Sequence, residues 1–98
     1  MKVFISQPMR GKSDEEILLE RNQMIKKVEE SATEKPEVID SFFQNAPVEA
    51  KPLWFLGKSI ELLSTADVAV FAKGWKDARG CRIEHECCEQ YGIKIIEM

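Results

Sequence analysis

With 98 residues, 44% of them apolar and 32% charged, the chain has the composition of one ordinary globular domain of modest stability, spanning 1–98. The formal net charge is −3 and no Lys/Arg block is present, so neither a nucleic-acid polymer nor an anionic membrane is the expected partner. No apolar run approaches membrane-spanning length, and the N-terminus opens straight into a strand rather than a signal peptide, so a cytoplasmic location is expected.

Lys2-Val-Phe-Ile-Ser6 is a short β-branched and aromatic run and reads as the first strand. It breaks at Gln7-Pro-Met-Arg-Gly-Lys12, and Ser13-Asp-Glu-Glu16 then has the form of a capping box. The helix it opens runs to about Ser31, with Ile17, Leu18, Met24, Ile25 and Val28 as the inward stripe. A loop between strand and helix offers free backbone N–H groups, and Arg10 and Lys12 add positive charge, so a phosphate could sit there. The loop lacks a glycine-rich fingerprint, and a plain polar turn fits its spacing equally well.

Thr33-Glu-Lys-Pro36 ends that helix, and Glu37-Val-Ile-Asp-Ser41 reads as the second strand. Phe42 and Phe43 open an apolar-starting loop that continues through Gln44-Asn-Ala-Pro47, where aromatics either pack or flank a site. A second helix begins around Pro52 and continues through Leu63. Its Leu53-Trp-Phe-Leu56 surplus of apolar surface predicts cover on more than one side, by the sheet and by a partner subunit, hence a homodimer or larger homo-oligomer.

Ala66-Asp-Val-Ala-Val-Phe71 is a continuous apolar run of the kind found where both faces of a sheet are covered. From about Cys81 the spacing turns helical, and Gly92 supplies the left-handed residue that closes the helix. Positions 81, 84, 88 and 91 share one stripe of it. Three of these are residues that pack, Cys81, Cys88 and Tyr91; the fourth is Glu84. A carboxylate on a packing stripe in a helix's first turn is poorly placed for solubility and well placed for chemistry, although the helix dipole alone also favours acids there. Trp75, in the preceding loop, could stack on a base or pack over the loop. Ile93-Lys-Ile-Ile96 is the fourth strand.

Three cysteines, at 81, 87 and 88, are an odd and clustered set and make no disulfide framework. Cys81, His85 and Cys88 could share a helix face, but no further Cys or His completes a structural zinc site, and no metal or other cofactor is expected.

Strand and helix alternating four times predict an α/β fold: a flavodoxin-like or Rossmann-like three-layer sandwich with a four-stranded parallel sheet in the order 2-1-3-4. In such sheets ligands bind beyond the carboxyl ends of the strands, where the strand order reverses. That point lies between strands one and three. The loops meeting there are Gln7 to Lys12 and Lys73 to Gly80, with Glu84 just behind the second.

Three segments carry a resemblance: Val3-Phe-Ile-Ser-Gln-Pro-Met-Arg-Gly-Lys12, Ser64-Thr-Ala-Asp-Val-Ala-Val-Phe71, and Gly80-Cys-Arg-Ile-Glu84 continued by Tyr91-Gly-Ile-Lys-Ile-Ile96. Together they resemble the nucleoside 2-deoxyribosyltransferase-like superfamily, in a short branch related to deoxynucleoside monophosphate N-glycosidases. The resemblance implies that Glu84 is a nucleophile attacking the anomeric carbon of a small-molecule nucleoside or nucleotide. Such a step needs an ionised carboxylate about 3 Å from that carbon and a donor for the departing base. It further implies sugar- and phosphate-side contacts from Ser6, Gln7, Met9, Arg10 and Gly11, and Asp77 as an acid near the base; Ser59, Trp75 and Gly80 are further candidate substrate contacts.

The chain also departs from the pattern. Ser59 stands where the family usually carries an aspartate near the leaving base, and Glu86 stands where a glycine is common. Family enzymes complete each site with a neighbouring subunit's C-terminal segment, whereas this sequence ends after its fourth strand. The expected activity is therefore N-glycosidic cleavage or deoxyribosyl transfer; the alternative is a nucleotide-binding module without catalysis. A small dimeric interaction protein is the third possibility.

Overall fold

The computed structural model describes residues 1–43 and 46–98. The chain runs through β1 (Lys2–Ser6), α1 (Asp14–Ser31), β2 (Glu37–Val38), α2 (Pro52–Leu63), β3 (Val68–Phe71), a 3₁₀ turn (Trp75–Asp77), α3 (Arg79–Tyr91) and β4 (Lys94–Glu97). The strands form one parallel sheet in the order β2-β1-β3-β4, as the alternation of elements predicts. Residues Gln44 and Asn45, in the loop after the paired phenylalanines, lie outside the described residues.

The period-two side-chain alternation of β1 divides the core. Val3 and Ile5 face α1 and pack with Val68, Val70, Ala72, Met24 and Val28. Phe4 faces the other way, with Ala69, Phe71, Leu63 and Cys88 from β3, α2 and α3. All four residues of β3 are buried because both faces of that strand are covered. Full burial of a side chain such as Phe71 stabilises the fold by roughly 1.5–3 kcal/mol. Loop 13–16 closes the expected capping box: Glu16 N–H donates to Ser13 Oγ at 3.2 Å, and Ser13 N–H donates to Glu16 Oε1 at 3.3 Å.

Several expectations need correcting. β2 is two residues long, not the five of 37–41. Ile39 N–H still donates to Val3 at 2.9 Å, but the carbonyl of Ile39 is taken by Arg21 Nη2 at 3.1 Å. A side chain thereby replaces the ladder. On α1 the inward position is Arg21, 5% exposed, whereas Leu18 is 38% exposed. β3 begins at Val68 because Ala66 N–H is bonded into the turn that closes α2, at Leu63. β4 begins at Lys94 because Ile93 N–H donates to Cys88 O, completing the closure around Gly92 at φ 72°. Tyr91 is 83% exposed and leaves the packing stripe, since it sits where α3 ends. No helix among the described residues is long and apolar enough to cross a membrane.

Candidate functional site

Ser6 is the last residue of β1 and is paired in register with Phe71, the last residue of β3. Both strands therefore end at the point where the strand order reverses, and Ser6 turns its side chain to the α3 side of the sheet. There its hydroxyl donates to Glu84 Oε1 at 2.6 Å, a buried bond. The distance is that of a charge-assisted O–H···O⁻ bond. Glu84 itself is only 7% exposed.

α3 begins at Arg79, two residues earlier than its spacing predicts, so Glu84 stands in the second turn and not the first. The first intrahelical bond at this end runs from Arg82 N–H to Ala78 O. The amides of residues 79–81 lie ahead of it, one turn before the acid. Burial raises the pKa of Glu84 above the ordinary carboxylate range, and the hydroxyls of Ser6 and then Ser59 oppose that rise by favouring the ionised form. Burial dominates. The one short hydrogen bond of the carboxylate among the described residues is the one at Oε1.

The other expected site residues divide into three groups. Ser59, on α2, reaches Glu84 from the helix beside α3. Met9, Arg10, Gly11 and Asp77 are exposed at the two loop tips, with Gly11 at φ 79° where Lys12 N–H donates back to Met9 O at 3.2 Å. Gly80 lies in the first turn of α3, and a methyl group built there would meet nothing within 4 Å. Backbone in that turn is thus open to close approach.

Gln7 and Trp75 belong to the third group, whose side chains are taken up within the protein. Gln7 is 5% exposed and faces α1; its Nε2 donates to Ile17 O at 3.1 Å and Glu20 Oε1 at 3.0 Å, and its Oε1 accepts from Arg21. It ties the loop down. Trp75 stacks on His85, with ring centroids 3.9 Å apart and planes 7° from parallel. Of its two expected roles, packing over the loop accounts for this face of the ring. His85 is fixed in turn, with Nδ1 3.2 Å from Glu89 and Nε2 2.8 Å from Glu97, which joins α3 to β4.

The thiols of Cys81 and Cys88 are buried and pushed up to about 11 by loss of solvent, which makes them packing groups. Among the described residues no group of three or more His, Cys, Asp or Glu could hold a metal ion. Two open grooves lie away from Glu84. One, of about 400 Å³, has Met24, Lys27, Ala72, Lys73 and Met98 in its walls. The other, of about 390 Å³, is formed by Pro47, Glu49, Ala50, Lys51 and Trp54. Groove volume does not single out the acid; its burial and its hydrogen bond do.

Arg21 is the residue the sequence reading overlooked. It stands on α1 at the spacing of Ile17, Met24 and Val28, which was the available signal.

The class of protein is a three-layer α/β domain with a buried acid held by a serine at the strand tips. A family model described as a domain of unknown function (DUF4406) matches residues 1–97, and the chain belongs to that family. No curated protein and no solved structure matches the chain.

Proposed function

We propose that this protein cleaves the N-glycosidic bond of a nucleoside or nucleoside monophosphate, with Glu84 as the nucleophile. The observation that carries the reading is the 2.6 Å bond from Ser6 to a carboxylate that is 7% exposed, at the reversal point of a parallel sheet. The resemblance to the nucleoside 2-deoxyribosyltransferase-like superfamily supports the same assignment. A buried acid without an ion-pair partner among the described residues costs stability, and such groups concentrate where chemistry needs them.

In this mechanism Glu84 Oε2 attacks the anomeric carbon while Ser6 holds Oε1, a glycosyl ester forms, and water then releases the sugar. Arg10, exposed in the β1–α1 loop, favours a substrate bearing a phosphate. Transfer to a second base in place of water is the same chemistry with a different acceptor.

A second reading is favoured by one observation: the groups that act on Glu84 are hydroxyls, Ser6 and Ser59, and neither is an acid of carboxyl strength. On that reading the protein holds a nucleotide without cleaving it. Incubation with a panel of deoxynucleoside monophosphates, followed by chromatography for free base, separates the two. Base release that disappears in Glu84→Gln supports cleavage; binding without release supports the nucleotide-holding module.

We also propose assembly into a homodimer through the N-terminal half of α2. Leu53 is 76% exposed, Val48 is fully exposed, and Phe43, Trp54 and Phe55 form an aromatic cluster beside them. Sedimentation of the wild type as a dimer and of Leu53→Lys as a monomer is the expected result; a concentration-independent monomer would remove this proposal.

A further inference from the structure

Resting on the assignment of Glu84 as nucleophile, we infer that the substrate is an N-glycoside whose leaving ring is already positively charged, such as a pyridinium or N-alkylated purine glycoside. Retaining cleavage of an ordinary glycoside needs two carboxyl groups, one to attack and one to protonate the leaving group. Here the attacking group has no such companion among the described residues. Glu84 is bonded by the Ser6 hydroxyl and approached by the Ser59 hydroxyl.

The remaining titratable neighbours are unsuited to donate a proton to the base. The thiols of Cys81 and Cys88, one turn to either side of Glu84 on α3, are buried and pushed up to about 11, which makes them weak acids. His85 follows Glu84 directly, but its nitrogens bond Glu89 and Glu97 and its ring is stacked on Trp75. Asp77 is exposed at the end of the 3₁₀ turn. A leaving ring that carries a formal positive charge needs no donor at all.

Two further features fit that substrate. Glu84 has no ion-pair partner among the described residues, so a cation at the reacting position would compensate a buried carboxylate that the protein leaves uncompensated. A cationic ring also needs no acid from α2, whose contribution beside Glu84 is the Ser59 hydroxyl.

The reaction balances without a protein acid. Glu84 Oε2 forms a bond to the anomeric carbon as the bond from that carbon to the ring nitrogen breaks. The electron pair returns to the nitrogen and neutralises its charge. Water then attacks the anomeric carbon, the ester bond to Glu84 breaks, and one proton passes to solvent.

The test uses matched probes on the full chain: 7-methylguanosine against guanosine, with nicotinamide riboside as a permanent cation, for wild type and Glu84→Gln. General acid catalysis is worth about 10²–10⁴-fold, so kcat/KM for 7-methylguanosine should exceed that for guanosine by about 100-fold or more. The Glu84→Gln variant should lose both activities. The rate with nicotinamide riboside should rise with pH as Glu84 ionises and then stay level. Guanosine cleaved within about tenfold of its methylated form would reveal a protein acid. That result overturns this inference and leaves the glycosidase reading standing. Cleavage of none of the three probes overturns this inference; the glycosidase reading falls with it only if the deoxynucleoside monophosphate panel also releases no base.

Discussion

The sheet buries one charge on each face, and the two are handled differently. On the α1 side, Arg21 donates to Gln7 Oε1 at 3.3 Å, Ile39 O at 3.1 Å and Ser41 Oγ at 2.9 Å. Burial lowers its pKa, and the nearby Asp40 partly offsets that. Ser41 passes the connection on to Ile5 O. Two of these contacts join α1 to the segment that follows β2, and the third joins it to the loop after β1, so the guanidinium holds both segments in place. On the α3 side, Glu84 has one short hydroxyl bond, from Ser6 to Oε1, and the Ser59 hydroxyl nearby. A buried charge saturated by neutral partners is architecture. A buried charge held by fewer groups is where a reaction can be placed.

Exchanging the charges should separate their roles. The largest effect is expected for Glu84→Gln, which removes the proposed nucleophile while keeping the side chain's shape: base release should fall at least about 10³-fold. The unfolding free energy in urea should hold or rise, because a desolvated acid is removed. Retained turnover would break the comparison on that side. Arg21→Met is the converse. It leaves Gln7, Ser41 and the Ile39 carbonyl without their donor, and buried groups left unpaired cost about 1–3 kcal/mol each. A loss of roughly 2–4 kcal/mol in urea denaturation is expected, with kcat unchanged in the protein that remains folded. Unchanged stability would show that the network is not what holds the 39–41 segment.

The pH dependence of stability sharpens the contrast further. Glu84 has a folded-state pKa above its unfolded value, so the native state binds the proton more tightly. Its contribution is fully present below the unfolded carboxylate pKa, near 4.3, and is lost as pH rises through the higher folded value. Urea midpoints of wild type, compared with Glu84→Gln, should therefore decline over that window. Parallel curves would mean that the acid is not desolvated. Ser6→Ala should move the rising limb of the activity profile to higher pH, since it deletes the principal group favouring the ionised carboxylate.

The smallest effect is expected at Gly80. Nothing lies within 4 Å of a methyl group added there, and Ala is the better helix former by about 0.8–1 kcal/mol. Gly80→Ala should fold at least as well as wild type by thermal melting while raising KM, if substrate approaches the first turn of α3. An unchanged KM would take Gly80 out of the site.

The fold was legible because each element is bounded by strong local signals: the Pro8 and Gly11 turn, the Ser13 box, Pro36, Pro52 and Gly92. Glu84 was legible because it shares a helix stripe with Cys81 and Cys88, which are buried packing residues. What sequence could not supply was tertiary competition for the same groups. Ile39 carries the pattern of a strand residue, but its carbonyl goes to Arg21, and a helix stripe that read Leu18 turned out to hold the arginine. The Trp75–His85 stack joins residues ten apart across a turn whose 3₁₀ geometry has no composition cue. Gln7 likewise reads as a loop polar residue, and only α1 docking shows where its amide is used.

Mass spectrometry of the rapidly quenched reaction tests the assignment of Glu84 most directly. During turnover of a cleavable N-glycoside, the peptide containing residue 84 should gain the mass of one sugar, and Glu84→Gln should show no such gain. Substrate consumed with that peptide unmodified, or with the sugar on a different peptide, would contradict it.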